Sequence, residues 1–463
     1  MKFFFHIKRN IFVLVLTLHC LTFISCTKFV EIAPPTDQIV SSTVFTNDGT
    51  ATAALTGIYS RMMREGSQFA ASGITFFTGL SSDELSYYSS TSEQLFKQNQ
   101  LSAIDPLLGN IFWNPAYRYI YTANLCIEQL NNSNTVTLQT KNILIGEAKL
   151  IRAFCYFHLV NLFGDVPLII TTDYSKNANL TRAPIATVYQ QIIDDLTNAE
   201  SFLPINYFTA ERSRPNKLSA TALLSRMYLY INDWPNAELK ANTVINSGLY
   251  SLVSDLKMVF KKSSNETIWQ IQPVDPGRNT WEGSIIIPTS ALSVPTYLVS
   301  SELLNSFEQD DNRDSLWINS RVYQNQTLYY PYKYTAASGT LTLSEHYIVL
   351  RLAEQHLIRS EARAMQNKLI ESKQDLNIIR NRAGLTNSTA SSKEDILAAI
   401  ARERKVELFS EWGHRWYDLK RTGKANSVLS TIKPQTWQAT DALYPIPQSQ
   451  INLNSALSQN PGY

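Results

Sequence analysis

Two pairs of neighbouring acidic residues are the first groups to consider for chemistry. Asp83-Glu84 and Asp310-Asp311 each place two carboxyl groups side by side in a polar segment. Two carboxyl groups flanking a glycosidic bond can hydrolyse it, one as an acid and the other as a base or nucleophile. Adjacent acids in a polar loop ordinarily form turns or stay in water. A two-carboxylate glycoside hydrolase is therefore the less favoured interpretation.

Other catalytic and cofactor motifs are missing from the sequence. It contains no GxSxG, P-loop or GxGxxG pattern. Four histidines, His158, His346, His356 and His414, form no HExxH motif and share no helical face. We therefore predict a protein that is not an enzyme, that has no metal site and that needs no cofactor.

Aromatic side chains offer a different chemistry, which is stacking on a ligand. The sequence contains 8 Trp, 23 Tyr and 20 Phe, and sugar rings present apolar faces that stack on tyrosine and tryptophan. Two irregular stretches combine such rings with Asp, Asn or Arg, which hydrogen bond to hydroxyl groups. They supply the predicted ligand contacts, Asp83, Tyr87, Tyr88, Arg278, Asn279 and Trp281. Packing of each side chain within its own lobe is the competing interpretation.

The thiol of Cys26 is a candidate for lipid attachment. A basic start and an apolar run, Ile11–Leu18, precede Ser25-Cys26. This order is typical of a bacterial lipoprotein signal, and the run is too short to span a bilayer. An ordinary signal peptide cut nearby, or a buried N-terminal helix, would have a similar pattern. We interpret residues 1–25 as a signal peptide and Cys26 as lipidated, which would hold the chain at a membrane surface.

Charge and cysteine content narrow the partners. Residues 1–25 contain three basic residues and no acid, so their removal takes the formal net charge from +2 to −1. A near-neutral chain gives no electrostatic basis for binding nucleic acid or an anionic membrane surface. Beyond Cys26 only Cys126 and Cys155 remain, and both lie in apolar helical patterns. Buried free thiols are favoured over a disulfide, and membrane contact is expected through the lipid only.

Helical periodicity dominates most of the chain. The spacing of apolar residues predicts helices over residues 47–64, 113–130, 143–163, 184–202 and 394–409. Residues 217–250 and 353–382 each predict two helices joined by a turn, with large residues meeting small ones as in tetratricopeptide hairpins. Such hairpins bury their faces only by stacking. We therefore predict a mostly α fold with a scaffold of about four hairpins.

Two long stretches interrupt this pattern. Residues 66–110 are polar and irregular, and residues 252–345 alternate strand-like pieces such as 267–271 with turns. Long irregular segments in compact domains are usually functional or disordered. We expect residues 66–110 to form a ligand loop and residues 252–345 an irregular, loop-rich ligand-binding lobe with short strands. After residue 409 the pattern predicts a proline-marked tail without further helix.

Six short motifs follow one another between residue 146 and the C-terminus. They are GEAKLIRAFCYF (146–157), FGDVPL (163–168), RLAEQHLIRSEA (351–362), LNIIRNRAGL (376–385), RERKVEL with GHRWYDL (402–408, 413–419), and YPIP with QNPGY (444–447, 459–463). Together with the N-terminal cysteine signal, they resemble the SusD/RagB family of surface nutrient-binding lipoproteins.

This resemblance implies a helical protein of tetratricopeptide-like hairpins with a more irregular lobe for the ligand. Family members are lipid-anchored on the outer face of the outer membrane. They cap a SusC-like TonB-dependent transporter and deliver glycans to it, or peptides in some members, without cleaving them. The resemblance thus implies glycan binding at the cell surface, with peptide binding by the same architecture as the alternative. It specifies no ligand contacts, because these vary with the glycan.

The predicted organisation has three parts. Residues 1–25 are the signal peptide, residues 26–250 a helical N-terminal region with a ligand loop at 66–110, and residues 251–463 a C-terminal region. The last part contains the irregular lobe, 252–345, and the closing helices. Charged residues of the C-terminal motifs lie among apolar neighbours, and they must be paired if they are buried. We expect a structural salt-bridge network of Arg404, Glu407, Arg415 and Asp418.

Overall fold

Eighteen α-helices and six short β-strands make up the regular structure of the described residues, which are 44–64, 69–89, 91–290 and 292–463. The structure is a computed structural model, and Phe45–Tyr463 forms one compact unit in it. The helical content confirms the predicted mostly α fold. The predicted signal peptide and Cys26 lie outside the described residues.

The first half of the chain is almost entirely helical. Its elements are α1 (Asp48–Arg64), α2 (Gly73–Ser81), β1 (Leu85–Tyr87), α3 (Glu93–Gln98), α4 (Asn114–Asn132), α5 (Leu138–Phe163), α6 (Tyr174–Asn177), α7 (Ile185–Phe202), α8 (Lys217–Tyr230) and α9 (Trp234–Ile245). A π-helical segment, Leu108–Trp113, leads into α4.

The second half begins with a mixed region and returns to helices. Its elements are β2 (Thr267–Ile271), α10 (Trp281–Ile286), β3 (Tyr297–Val299), α11 (Ser301–Leu304), α12 (Asn312–Trp317), β4 (Ile318–Tyr323), β5 (Gln326–Pro331), β6 (Tyr347–Arg351), α13 (Leu352–Met365), α14 (Leu369–Arg382), α15 (Lys393–Glu407), α16 (His414–Arg421), α17 (Ala425–Ile432) and α18 (Gln448–Leu453). Two short 3₁₀ helices cover Leu256–Met258 and Ala439–Ala442.

Seven helices pack side by side as a scaffold, in the order α4, α5, α7, α8, α9, α13 and α14, and α15 packs on the last two. The joints between them follow from local sequence. Asn216 and Ser219 form a capping box at the start of α8, and Asp233 caps α9 after a turn in which Asn232 has a positive φ of 62°. The hairpins predicted at 217–250 and 353–382 are α8 with α9 and α13 with α14, and α4 with α5 forms a third pair of consecutive helices.

The C-terminal hairpins enclose an aliphatic core. It is formed by Ala353, Leu357, Ala364, Leu376, Ile379, Ile396, Ile400 and Leu408. Ile396 and Ile400 are four residues apart, so both point from the same face of α15 towards α13 and α14. This burial fixes which face of α15 is left for other contacts.

The strands form three two-stranded antiparallel sheets, β1–β3, β2–β6 and β4–β5. The predicted strand 267–271 is β2. Only Gln324 and Asn325 separate β4 from β5, and both have positive φ angles, 48° and 61°. Two positive φ angles are characteristic of the type I′ turn, whose twist matches that of an antiparallel pair.

Two regions are more helical than the sequence indicates. The polar stretch 66–110 contains α2 and α3, and every residue of α2 is buried. A helix buried on all sides shows no apolar periodicity, so its pattern was not recognisable. The prediction of a tail without helices is wrong, because α16, α17 and α18 follow residue 409. Each has eight residues or fewer, which is too short for a helical period to stand out.

The two cysteines of the described chain are free and buried, as expected. Cys126 lies in α4 and Cys155 in α5. Burial raises the pKa of the Cys126 thiol to about 12, and it also raises the pKa of Cys155. Because thiolates are the reactive form of cysteine, both residues act as small apolar core side chains.

Candidate ligand-binding site

Pairing of β1 with β3 fixes the position of Tyr87. The strands are antiparallel, and Tyr87 lies directly opposite Tyr297. Opposite residues in such a pair point to the same face, and the two ring centroids are 5.1 Å apart. Tyr297 also stacks on Phe76 of α2 at a centroid distance of 4.1 Å. Tyr87 is therefore half-buried with its ring held against a rigid aromatic support.

Tyr88 presents the most accessible ring of this region among the predicted contacts. Its side chain is 38% exposed, and its backbone N–H donates to the Thr296 carbonyl at 3.1 Å. The ring meets that of Tyr323, the last residue of β4, edge-on at 6.2 Å. We call Tyr87, Tyr88, Tyr297 and Tyr323 the tyrosine platform. It brings together two separate sheets.

Asp83 connects the start of β1, which carries Tyr87, to the closing helices through hydrogen bonds. Its side chain is buried, and its carboxylate accepts hydrogen bonds from Arg415 at 2.6 and 2.9 Å and from Lys405 at 2.8 Å. Burial alone would raise the pKa of Asp83, but the pairing with Arg415 and Lys405 lowers it to about 2. Its backbone carbonyl accepts from the Ser300 hydroxyl at 2.7 Å. Asp83 thus links the entry to β1 with α15, α16 and the end of β3.

Three of the four acids in these pairs, Asp83, Glu84 and Asp311, are buried, whereas Asp310 is exposed. Burial and the neighbouring Asp83 carboxylate raise the pKa of Glu84 to about 8, so Glu84 is neutral at pH 7. Asp311 caps α12 and forms a buried ion pair with Arg313 at 2.8 Å. Asp310 lies in the turn before it with a positive φ of 66°. Asp83 and Asp311 both have cations as their partners.

Arg278 and Trp281 form a second small cluster. The Arg278 guanidinium carbon lies 3.5 Å from the centroid of the Trp281 ring, a cation–π contact. Arg278 also pairs with Asp275 at 2.8 Å. The indole Nε1 of Trp281 donates to the Met63 carbonyl at 2.7 Å, and Thr280 caps α10 through the Gly283 N–H at 3.1 Å. The half-buried Trp281 is therefore held by the Arg278 contact, the hydrogen bond to Met63 and the capped start of α10.

Asn279, between these two residues, faces inward. It is 1% exposed. Its amide group donates to the carbonyls of Thr340 and Thr342, at 3.3 and 3.1 Å, and its side-chain oxygen accepts from the backbone N–H groups of Ser344 and Glu345, at 2.7 and 3.0 Å. These four bonds hold the 340–345 segment against the loop that carries Arg278.

The structure thus sorts the six predicted contacts into two groups. Tyr87, Tyr88, Arg278 and Trp281 are partly accessible, whereas Asp83 and Asn279 are buried and bonded to protein. Sequence reasoning did not single out Tyr297 and Tyr323, which support the accessible rings. The signal that could have found them is the pairing of β1 with β3 and of β4 with β5. The β1–β3 pairing joins strands far apart in sequence and leaves no local pattern, whereas β4 and β5 are neighbours joined by a two-residue turn.

The charged residues of the C-terminal motifs form the expected salt bridges. Arg404 pairs with Asp418 at 2.7 Å and Arg415 with Asp83 at 2.6 Å. Glu407 accepts from Arg351 at 2.5 Å and from Arg313 at 2.9 Å, and it also pairs with Arg382. Because every one of these charges has a partner of opposite sign, burial is tolerated. Their role is structural.

Two protein-family models match parts of this chain. A family model described as "Starch-binding associating with outer membrane" matches residues 28–229, and one described as "SusD family" matches residues 301–463. SusD-like protein P2 of Formosa agariphila is 28% identical over 96% of this chain and 98% of its own length.

Solved structures with the same fold cover almost the whole chain. A SusD superfamily protein of Bacteroides vulgatus superposes with a TM-score of 0.81 at 21% identity, covering 91% of this chain and 100% of its own. A structure named as a laminarin-binding SusD-like protein superposes with a TM-score of 0.76 at 25% identity, covering 90% of this chain and 100% of its own.

Proposed function

The chain belongs to the SusD family, and on that premise we propose that it binds an oligosaccharide at the tyrosine platform and Trp281 without cleaving it. It then delivers the glycan to a TonB-dependent transporter of the SusC type in the outer membrane. The transporter and the delivery step rest on the family resemblance. The binding step rests on the geometry of this chain.

The observation that carries the proposal is the supported exposure of Tyr88. Tyr88 is 38% exposed, yet the backbone bond to Thr296 and the ring contact with Tyr323 hold it in place. A fixed aromatic face stacks on the C–H face of a sugar without first losing rotational freedom, and this reduces the entropic cost of binding. Exposed tyrosines of a mobile loop would lack that advantage.

Polar groups beside the rings supply orientation. The Arg278 guanidinium is half-buried on the Trp281 ring, and a few placed donors are enough to orient a ligand on a mostly apolar surface. In this proposal Tyr87, Tyr88, Arg278 and Trp281 touch the glycan. Asp83 and Asn279 position them, because their own polar atoms are bonded within the protein.

A binding role without catalysis agrees with the state of the acid pairs. A retaining or inverting glycosidase needs one protonated carboxyl group and one free carboxylate facing the sugar. Asp83 and Asp311 are instead tied to Arg415, Lys405 and Arg313. One carboxylate of each pair is therefore held by cations, and Glu84, beside Asp83, is buried.

We further propose that lipid on Cys26 holds the chain at the outer membrane with its ligand site facing the exterior. Among the described residues, none of the helices combines the length and apolarity needed to pass through a bilayer. The family description also names association with the outer membrane. Replacing Cys26 with Ala should move the protein from the membrane to the soluble fraction and abolish incorporation of radioactive palmitate.

Affinity gel electrophoresis tests the glycan proposal. Gels containing laminarin, starch or xylan are run with the wild-type protein, and we expect at least one polysaccharide to retard it. Tyr88→Ala and Trp281→Ala should each remove most of the retardation. Tyr174→Ala is the matched control, because Tyr174 is 82% exposed on α6 and lies outside the platform.

The outcomes separate the alternatives clearly. Retention of wild-type mobility shifts in both variants would remove the site assignment. Release of reducing sugar would show a glycoside hydrolase. Binding of a peptide mixture with no retardation by any polysaccharide would favour the peptide-binding alternative.

A further inference from the structure

A cavity of about 700 Å³ lies among α13, α15, α16 and α17, next to the turn between α8 and α9. Its size falls within the range of small-molecule sites in proteins, roughly 300–1,000 Å³. Such sites are commonly found between the helices of a bundle. The cavity is built from elements other than the strands of the tyrosine platform.

One face of α15 forms a wall of the cavity. Glu394, Leu397, Ala398, Ala401 and Arg404 line the cavity, and their spacing of three and four residues places them on one helical stripe. The opposite stripe, with Ile396 and Ile400, is in the aliphatic core. Ala398 and Ala401 are exposed, so a large side chain at either position would project into the space between the helices.

The remaining walls combine apolar residues with one indole. Met365, Leu419 and Val428 contribute apolar surface from three helices, and Trp234 faces the cavity from the first turn of α9. Trp234 is only half-buried. An accessible indole beside aliphatic surface is suited to stacking on a ring that has an apolar face.

The floor of the cavity is charged but balanced. Arg421 binds Glu361 at 2.6 Å and Asp418 at 2.7 Å, and Arg404 binds Asp418 at 2.7 Å. Arg415, which also lines the cavity, pairs with Asp83 at 2.6 Å, so each arginine of the lining has a carboxylate partner. A charged ligand would add an uncompensated charge to this buried set, which is costly. The floor therefore favours a neutral ligand.

Hydrogen-bonding groups surround these walls. Asn232, Glu394, Thr422 and Lys424 are exposed and line the cavity. At the floor, the Nη1 atom of Arg404 has no hydrogen-bond partner within the described part of the chain. A ligand with several hydroxyl groups and one apolar face would match the polar groups and the indole together.

We infer that this cavity is a second ligand site, distinct from the tyrosine platform, which accepts an uncharged sugar unit of one or two rings stacked on Trp234. The choice of a sugar rests on the proposed function, whereas the existence and neutrality of the site rest on the cavity itself. A chain with two sugar sites would hold two units of one polymer, or two separate chains, at once.

Fluorine NMR of the mature protein labelled with 5-fluorotryptophan tests this inference. The Trp234 and Trp281 resonances are assigned with Trp234→Phe and Trp281→Phe, and the probes are laminaribiose, cellobiose and maltose. We expect the Trp234 resonance to shift saturably with at least one probe. A Trp281 shift alone would overturn the second site and leave the proposed function standing. A Trp234 shift alone would support the second site and reject the platform.

A blocking variant distinguishes the cavity from a general effect. Ala401→Phe fills the space from an exposed helix position, so we expect the Trp234 shift to disappear while the Trp281 shift remains. Ala53→Phe adds the same volume at an exposed site on α1, and it should change neither response. A Trp234 shift that persists in Ala401→Phe, or that is missing with all three probes in the wild-type protein, would overturn the inference. Unchanged positions of the other tryptophan resonances report that the variants are folded.

Discussion

Asp83 connects the closing helices to the strand that carries Tyr87. Its carboxylate is shared by Arg415 of α16 and Lys405 of α15, and β1 starts two residues later. All three charged side chains are largely buried, and an unpaired buried charge would lower the free energy of unfolding. The accessible tyrosines therefore depend on an ion-pair cluster that does not itself reach the surface.

Replacing Asp83 with Asn should lower the free energy of unfolding at pH 7 by roughly 3–5 kcal/mol, because Arg415 and Lys405 lose their buried partner. The pKa of Asp83 is lowered from 3.8 to about 2 in the folded chain. Its contribution is therefore complete above the unfolded pKa and is lost as the pH falls towards 2. Urea unfolding followed by tryptophan fluorescence measures the free energy of unfolding at pH 7 and its change with pH.

The pH dependence gives this prediction its control. As the pH falls from 5 to 3, the difference in free energy of unfolding between wild type and Asp83→Asn should decrease by about 1 kcal/mol. Asp194→Asn, at an exposed position of α7, should leave the unfolding curve almost unchanged. A stability difference for Asp83→Asn that stays constant over this range would show that the ion pairs do not cause it.

Asn279→Ala should loosen the 340–345 segment. The change leaves two backbone N–H groups and two carbonyls without their partner, and each buried unsatisfied group costs about 1–3 kcal/mol. Backbone amide hydrogen exchange of residues 340–345 should become faster. Retardation of the protein in the polysaccharide gel should decrease, because Asn279 positions the neighbouring Trp281. Asn387→Ala, at an exposed position, is the comparison. Equal exchange in both variants would contradict the positioning role.

Helices and strands differ in how far sequence could predict them. The hairpins at 217–250 and 353–382 were recognisable, because their apolar residues follow a helical period over two turns or more. The predicted end of one helix at residue 409 lies close to the observed end of α15 at Glu407. In contrast, α2 is buried on every side and α16 to α18 are short. Neither kind of helix has a detectable period.

The candidate site was predicted in part for the same physical reason. Tyr87, Tyr88 and Trp281 could be proposed because they are aromatic residues in stretches without helical periodicity. The inward orientation of Asn279 and the pairing of Asp83 with Arg415 depend on tertiary contacts between distant segments. The same holds for Tyr297 and Tyr323, whose neighbours are set by strand register.

Close approach of α10 to the chain at Ala336 makes Gly283 necessary. A Cβ atom at Gly283 would lie 2.5 Å from the Ala336 carbonyl oxygen, whereas one at Gly57 of α1 would meet nothing within 4 Å. Gly283→Ala should therefore destabilise the protein by about 1–3 kcal/mol through overpacking and displace Trp281. Gly57→Ala should stabilise it by about 0.5–1 kcal/mol, since alanine favours a helix.

Thermal unfolding and glycan retardation of both alanine variants check this prediction. Reduced retardation for Gly283→Ala together with unchanged retardation for Gly57→Ala is the expected pair of results. If Gly283→Ala bound glycan as well as the wild type does, α10 would not be the element that positions the ligand contact.

A buried charge network joins distant parts of the whole chain. Glu407 pairs with Arg313, Arg351 and Arg382, and Glu266 pairs with the last two. Burial would raise the pKa of Glu407, but the three guanidinium groups lower it well below its usual value. The network brings α12, β6, α14 and α15 to one point between the hairpin scaffold and the irregular lobe.

Glu407→Gln should therefore destabilise the molecule as a unit. Removing one partner of a buried network costs about 3–5 kcal/mol, and we expect a single unfolding transition at a lower midpoint, measured by calorimetry. Glu371→Gln, exposed on α14, should leave the midpoint within a degree or so. Separate unfolding of lobe and scaffold in Glu407→Gln would instead show that the network is what couples them.

The β4–β5 hairpin has a consequence for evolution and engineering. Its register is complete within residues 318–331, and its two-residue turn needs no help from elsewhere to reverse the chain. We therefore expect that the hairpin can be exchanged as a unit. A chimera that receives the corresponding hairpin of a relative should keep the strand register and replace the ring at Tyr323. Such an exchange alters one ring of the tyrosine platform and leaves the helices unchanged.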